Sequence, residues 1–176
     1  MKFVNKHLKE AGYFNTALIA IAIILRIINF PSNQILTKID SIVCIIALIF
    51  GLVYSFNGYK KDAAKYYKIF MYLYLLSSLV AVSTYFEGTK LIIFISNIIV
   101  SICLLVLAFA KDIGKEKSNF CALLILALSL AKLLFALQGP TNMASISAEF
   151  ASVALACVLC VFVSAKYKDK EARGSK

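Results

Sequence analysis

Long apolar runs separated by short polar segments make up most of this chain. Six runs are close to the length of about 20 mostly apolar residues that a helix needs to cross a hydrocarbon core about 30 Å thick. They cover roughly 12–30, 39–57, 66–86, 90–110, 119–137 and 143–165. The segments between them carry turn formers such as Pro31, Gly58 and Pro140. The pattern predicts an all-α integral membrane protein: a bundle of about six transmembrane helices with short loops, forming one helical domain over 1–176 with no soluble domain.

The composition also fits a lipid environment. Hydrophobic residues make up 61% of the chain and charged residues 16%, whereas soluble domains are about 45–50% apolar and about 25% charged. A formal net charge of +10 would suit nucleic acid, but the basic residues form short clusters between apolar runs, with no stacking aromatics placed among them in a soluble module. We therefore expect the lipid bilayer as a partner and no nucleic acid.

The basic residues instead predict an orientation, because short cytoplasmic loops carry an excess of lysine and arginine. Fifteen of the nineteen fall on one side of the predicted topology. They are Lys2, Lys6, Lys9, Lys60, Lys61, Lys65, Lys68, Lys111, Lys115, Lys117, Lys166, Lys168, Lys170, Arg173 and Lys176. Only Lys38 and Lys90 fall on the other side. Both termini are therefore predicted to be cytoplasmic, with 166–176 as a basic cytoplasmic tail. Richness in Ile, Lys and Asn without Trp suggests a bacterial source, and hence the plasma (inner) membrane.

Three ionisable residues lie inside the apolar runs: Arg26, Lys132 and Glu149. A charge in the hydrocarbon region costs roughly 2.5–3.5 kcal/mol on insertion scales, so such residues are candidates for function. Counting about 1.5 Å per residue from the ends of the runs places all three, together with Asn97, at one depth in the outer half of the bundle. We take these four as candidate ligand-binding residues. Asp40 lies at the outer start of its run and is assigned to the interface.

Two interpretations of this layer remain open. In the first, the side chains line a cavity that opens outward, and Glu149 balances one cation while Arg26 or Lys132 binds an anionic or carboxylated ligand. In the second, Lys132 and Glu149 form a structural ion pair between the last two helices, and Arg26 extends its flexible stem to the outer interface. The charges alone do not separate a binding site from a structural pair.

The sequence contains no arrangement of residues that is typical of catalysis or metal binding. The single histidine, His7, lies in the basic N-terminal segment, so no histidine pair can hold a metal and none can activate a nucleophile within the bundle. Cys157 and Cys160 have the spacing of a redox motif, but they lie in an apolar run without the electropositive setting that activates a thiol. We expect no enzyme activity, no cofactor and no metal.

Two functions are compatible with these features. The first is solute transport, by a small carrier or by the membrane-embedded substrate-binding subunit of a transporter that takes energy from an ATPase and other membrane subunits. That comparison rests on size and span number alone. The second is an accessory, immunity or regulatory protein that binds a partner membrane protein or anionic lipid through basic cytoplasmic loops. Its contact residues would be Lys60, Lys61, Lys65 and Lys68.

Overall fold

The computed structural model describes residues 8–31, 34–56, 64–84, 91–110, 113–138 and 142–174. Over these residues the chain is all-helical, and no strand occurs among them. The helices are α1 (Leu8–Ile28), α2 (Ile35–Phe56), α3 (Ala64–Thr84), α4 (Leu91–Phe109), α5 (Lys115–Gln138) and α6 (Met143–Gly174). Each predicted apolar run therefore falls on one helix, and the all-α prediction is confirmed.

Five of the helices are long and apolar enough to cross a membrane, and α3 is the exception. The apolar part of α3 within the described residues, Tyr67–Ser83, falls just short of that length. The other differences concern helix ends. Helix α2 begins four residues before the predicted start at 39, and α6 continues beyond 165 to Gly174. A helix does not have to end where an apolar run ends, because Lys, Glu, Ala and Arg in 166–173 are good helix formers in water as well.

The helices form a ring in which each packs against the next along the chain, and α6 closes the ring against α1. Helix α6 also contacts α2. It is the most buried helix, since 67% of its apolar window is buried, against 22–39% for the other four that are long enough to span. Ala151, Ala154 and Ala156 are fully buried on α6, and small residues let neighbouring helix backbones approach closely. The core of the bundle is thus built around α6.

Large apolar side chains occupy both the core and the outer surface of the bundle. Phe70 is fully buried between helices, and a Cβ atom on Gly51 would lie only 3.4 Å from its ring. By contrast, Ile24, Phe135 and many other large apolar side chains are more than half exposed. Soluble monomers rarely expose large continuous apolar patches. The surface is therefore compatible with contact to lipid rather than to water.

Candidate functional site

Every helix contributes a polar side chain to one layer of the bundle. The layer lies towards the end where α1 ends and α2 begins, which we call the Pro31 end. Its residues line a common cavity. They are Arg26 in α1, Asp40 in α2, Ser77 and Ser78 in α3, Asn97 in α4, Lys132 in α5 and Glu149 in α6. The four candidates from the sequence are thus brought together, as depth counting along the helices predicts.

Lys132 is the centre of one half of this layer. Its Nζ lies 3.1 Å from Glu149 Oε2, donates a hydrogen bond of 2.8 Å to Asn97 Oδ1, and lies 3.5 Å from Ser152 Oγ. The side chains of Lys132 and Glu149 are 6% and 4% exposed. A buried ammonium requires a counter-charge and several acceptors. These contacts meet that requirement and join α4, α5 and α6.

Arg26 forms the other half of the layer with Asp40. Arg26 Nη2 donates to Asp40 Oδ2 at 2.8 Å, while Ser77 Oγ donates to Asp40 Oδ1 at 2.7 Å. Arg26 Nη1 lies 3.5 Å from the carbonyl oxygen of Ala144. The exposed fractions of the Arg26 and Asp40 side chains are 5% and 17%. This group of contacts joins α1, α2, α3 and α6.

Two features of this pair differ from what the sequence pattern indicates. Asp40, assigned to the interface from the sequence, lies more than one turn inside α2, which begins at Ile35, and it faces Arg26. Arg26 does not extend to the interface, since its side chain turns inward to a carboxylate and is almost fully buried. The expected surplus cation is also not found among the described residues of the layer. Both cations have their own carboxylate, and the four charges sum to zero.

Two N–H groups facing this layer have no acceptor among the described residues. They are Nδ2 of Asn97 and Nε of Arg26, and both residues line the cavity. Asn97 is 2% exposed, so its amide donors are shielded from bulk solvent. Leaving a buried donor unpaired costs about 1–3 kcal/mol. Asn97 thus binds Lys132 through its oxygen, and its buried nitrogen keeps an unused donor beside the cavity.

Hydroxyl groups from α3, α5 and α6 form further polar contacts next to the layer. Ser129 Oγ and Ser152 Oγ lie 3.1 Å apart across α5 and α6, and Tyr74 OH lies 3.4 Å from the carbonyl oxygen of Ser152. These residues are not among those predicted from the sequence. Two of them could have been predicted to lie near the charged residues, because Ser129 precedes Lys132 by three residues and Ser152 follows Glu149 by three. Residues three apart share a helix face.

The layer connects to the Pro31 end of the bundle through adjoining cavities. The innermost cavity has a volume of about 50 Å³ measured at water centres, which is room for about three to five water molecules. A second cavity of about 260 Å³ shares with it Arg26, Asp40, Ala81 and Ala148. A third, of about 440 Å³, shares with the second Pro31, Gln34, Thr37, Asn142 and Ala144. We call the two larger cavities the vestibule. The Arg26–Asp40 pair lies where the vestibule meets the inner cavity.

The structure describes the lysines proposed as contact residues only in part, and it describes all five cysteines. Lys68 is exposed near the start of α3, Lys60 and Lys61 lie outside the described residues, and so does the side chain of Lys65. The five cysteines are free thiols, and Cys160 Sγ donates to the carbonyl oxygen of Ala122 at 3.3 Å. Within the described part of the chain, no group of three or more metal-binding side chains occurs.

Comparison with known proteins gives no relative for this chain. No protein-family model, no curated protein and no solved structure matches it. The fold and the polar layer define its class only as an all-helical protein with five helices able to span a membrane and a cluster of charged side chains inside the bundle. A proposal about function therefore has to start from the geometry of that cluster.

Proposed function

We propose that this chain is a bacterial plasma-membrane protein that crosses the bilayer six times, with both termini in the cytoplasm, and binds a small solute from the outer side. It acts as a small carrier or as the solute-binding subunit of a transporter. One observation carries this proposal: four charged side chains line a cavity that shares wall residues with the vestibule at the Pro31 end. The distribution of lysines assigns that end to the outer side.

The energetic cost of the layer supports a binding role. Replacing a buried ion pair with well-packed apolar residues is often neutral or stabilising, so two such pairs are a costly way to hold helices together. Ionisable residues inside membrane helices commonly mark the paths of solutes and ions. A purely structural pair needs no access from the surface. Here the Arg26–Asp40 pair lines both the vestibule and the inner cavity that Glu149 also lines, which supports entry of a polar solute from the Pro31 end.

The orientation can be tested with alkaline phosphatase, which is active only outside the cytoplasm. Fusions made after Asn33, Gly88 and Gly139 are expected to be active, and fusions after Gly58 and Lys176 inactive, because the lysine-rich segments stay inside. Enzyme activity in cells, normalised to the amount of fusion protein, is the measurement. Activity after Lys176 would contradict the proposed topology.

Solute binding can be tested by thermal unfolding of the purified full chain in mild detergent. The panel consists of amino acids, monocarboxylates, sugars, polyamines and inorganic anions. At 100 times its dissociation constant, a ligand adds about 2.7 kcal/mol to the free energy of unfolding, and each kcal/mol raises the Tm of a chain of this size by roughly 2–4 °C. We expect one class of solute to raise the Tm, and Glu149→Gln to abolish the shift.

The matched control changes charge at the basic cytoplasmic cluster. The double variant Lys60→Gln, Lys61→Gln should keep the full Tm shift, because the predicted topology assigns those residues to the cytoplasmic side, opposite the Pro31 end. The accessory-protein hypothesis predicts the opposite pattern of results. If no solute in the panel shifts the Tm while the Lys60 and Lys61 changes abolish function in cells, the solute-binding proposal is wrong and the accessory role is favoured.

A further inference from the structure

Two donor groups and one acceptor group of the polar layer have no hydrogen-bond partner among the described residues: Arg26 Nε, Asn97 Nδ2 and one oxygen of Glu149. Asn97 Nδ2 is buried and has no acceptor among the described residues. Glu149 contacts Lys132 through Oε2, and within the described residues its other oxygen has no hydrogen-bond donor. Both side chains line the inner cavity. A molecule in this cavity therefore lies beside one side chain with an unused amide donor and another with an unused carboxylate oxygen.

Lys132 holds the Asn97 amide and the Glu149 carboxylate close together. Its Nζ lies 2.8 Å from Asn97 Oδ1 and 3.1 Å from Glu149 Oε2. These two oxygens are therefore within about 6 Å of each other, and the amide and the carboxylate that carry them are neighbours on either side of Nζ. A small molecule beside Lys132 Nζ can thus approach both side chains.

The zero net charge of the layer favours a bound molecule that also has no net charge. Arg26 with Asp40, and Lys132 with Glu149, already sum to zero. A guest with a net charge would leave that charge uncompensated in apolar surroundings, which is strongly unfavourable. A guest that carries both signs adds no net charge. Its negative group suits the Asn97 amide, and its positive group suits the Glu149 carboxylate.

We infer that the ligand is a small zwitterion of the α-amino acid type, with its carboxylate on Asn97 Nδ2 and its ammonium on Glu149. This inference rests on the proposed function and names the substrate class of the same site. The inner cavity of about 50 Å³ measured at water centres has room for about three to five water molecules, which suits the head group. The side chain of the amino acid extends past Arg26 and Asp40 into the vestibule.

Calorimetry with matched probes tests this inference on the purified full chain in mild detergent. The probes are alanine, propionate, which lacks the ammonium group, and ethylamine, which lacks the carboxylate. Losing one hydrogen bond to a charged group corresponds to about a tenfold or greater loss of affinity. We therefore expect alanine to bind at least tenfold more tightly than either of the other two. Equal or tighter binding of propionate or ethylamine would overturn the inference.

A substitution at Asn97 tests the placement of the carboxylate. Asn97→Asp keeps an oxygen for Lys132 but replaces the N–H donor with a second oxygen, so alanine should bind at least tenfold more weakly. Asn119→Asp is the matched control. Asn119 also has a buried atom without a partner, Oδ1, but it lines none of the three cavities. Alanine affinity should be unchanged in that variant.

The outcomes separate this inference from the proposed function. Alanine binding that Asn97→Asp leaves unchanged, or binding of a sugar or an inorganic anion in its place, overturns the zwitterion assignment but leaves a solute-binding site at the layer. Failure of every solute in the panel overturns both. The comparison of the three probes uses the unaltered chain, so it remains decisive if Asn97→Asp does not fold.

Discussion

Replacing Lys132 by methionine is expected to lower the free energy of unfolding by about 3–5 kcal/mol, because Glu149 would then be a buried charge without a partner. Both side chains are almost fully buried, so bulk solvent does not reach the lost contact. The amide oxygen of Asn97 also loses its donor. Equilibrium unfolding of the purified chain in mixed detergent micelles measures the change. Of all the variants considered, this one removes the largest number of buried polar contacts.

Two further variants make the Lys132 result specific. Lys117→Met removes an exposed lysine from the same helix and should change stability by no more than about 0.5 kcal/mol. The double variant Lys132→Met, Glu149→Met should recover much of the loss, since an apolar pair of similar size avoids the cost of burying ions. A Lys132→Met chain as stable as the unaltered one would show that the ion pair does not form.

Arg26→Met should also destabilise the chain, by about 2–4 kcal/mol, because Asp40 would keep only the Ser77 hydroxyl as a donor. The expected loss is smaller than for Lys132, since the Asp40 side chain is 17% exposed and water in the vestibule can solvate it. The same unfolding titration measures it. An arginine extended to the interface would give almost no loss, so the magnitude distinguishes the two placements of Arg26.

Lys38→Met is the matched control for Arg26. Lys38 lies two residues before Asp40 on α2, and its side chain forms no ion pair within the described residues. Its substitution should change the free energy of unfolding by no more than about 0.5 kcal/mol. If Arg26→Met and Lys38→Met have equal effects, general loss of positive charge explains the result and the pair with Asp40 does not.

The sequence is sufficient to predict the helices and the depth of the main polar residues. Runs of about 20 apolar residues are hard to mistake, and depth follows from rise per residue. The contact of Lys132 with Glu149 is foreseeable for the same reason, because α5 and α6 are antiparallel neighbours joined by one short turn and the two residues are nearly equidistant from it.

Other contacts of the layer could not be predicted in this way. Asp40 lies further inside its helix than the apolar run indicates, because the run marks where hydropathy changes and α2 begins four residues earlier. The contact between Asn97 and Lys132 depends on how α4 and α5 are rotated about their axes. In an apolar bundle, core-facing and lipid-facing positions are both hydrophobic, so periodicity carries little information about rotation. The central place of α6 was unpredictable for the same reason.

That central place means that the core of the bundle is completed only when α6 has been synthesised. A ribosome delivers α6 after all the others, because synthesis runs from the N-terminus. In a chain inserted as proposed, α1–α5 form an incomplete ring before α6 is made. Lys132 then lies within the bilayer without Glu149. A nascent chain that stalls before residue 143 therefore has Lys132 without its carboxylate partner, and the ion pair can form only after α6 is made.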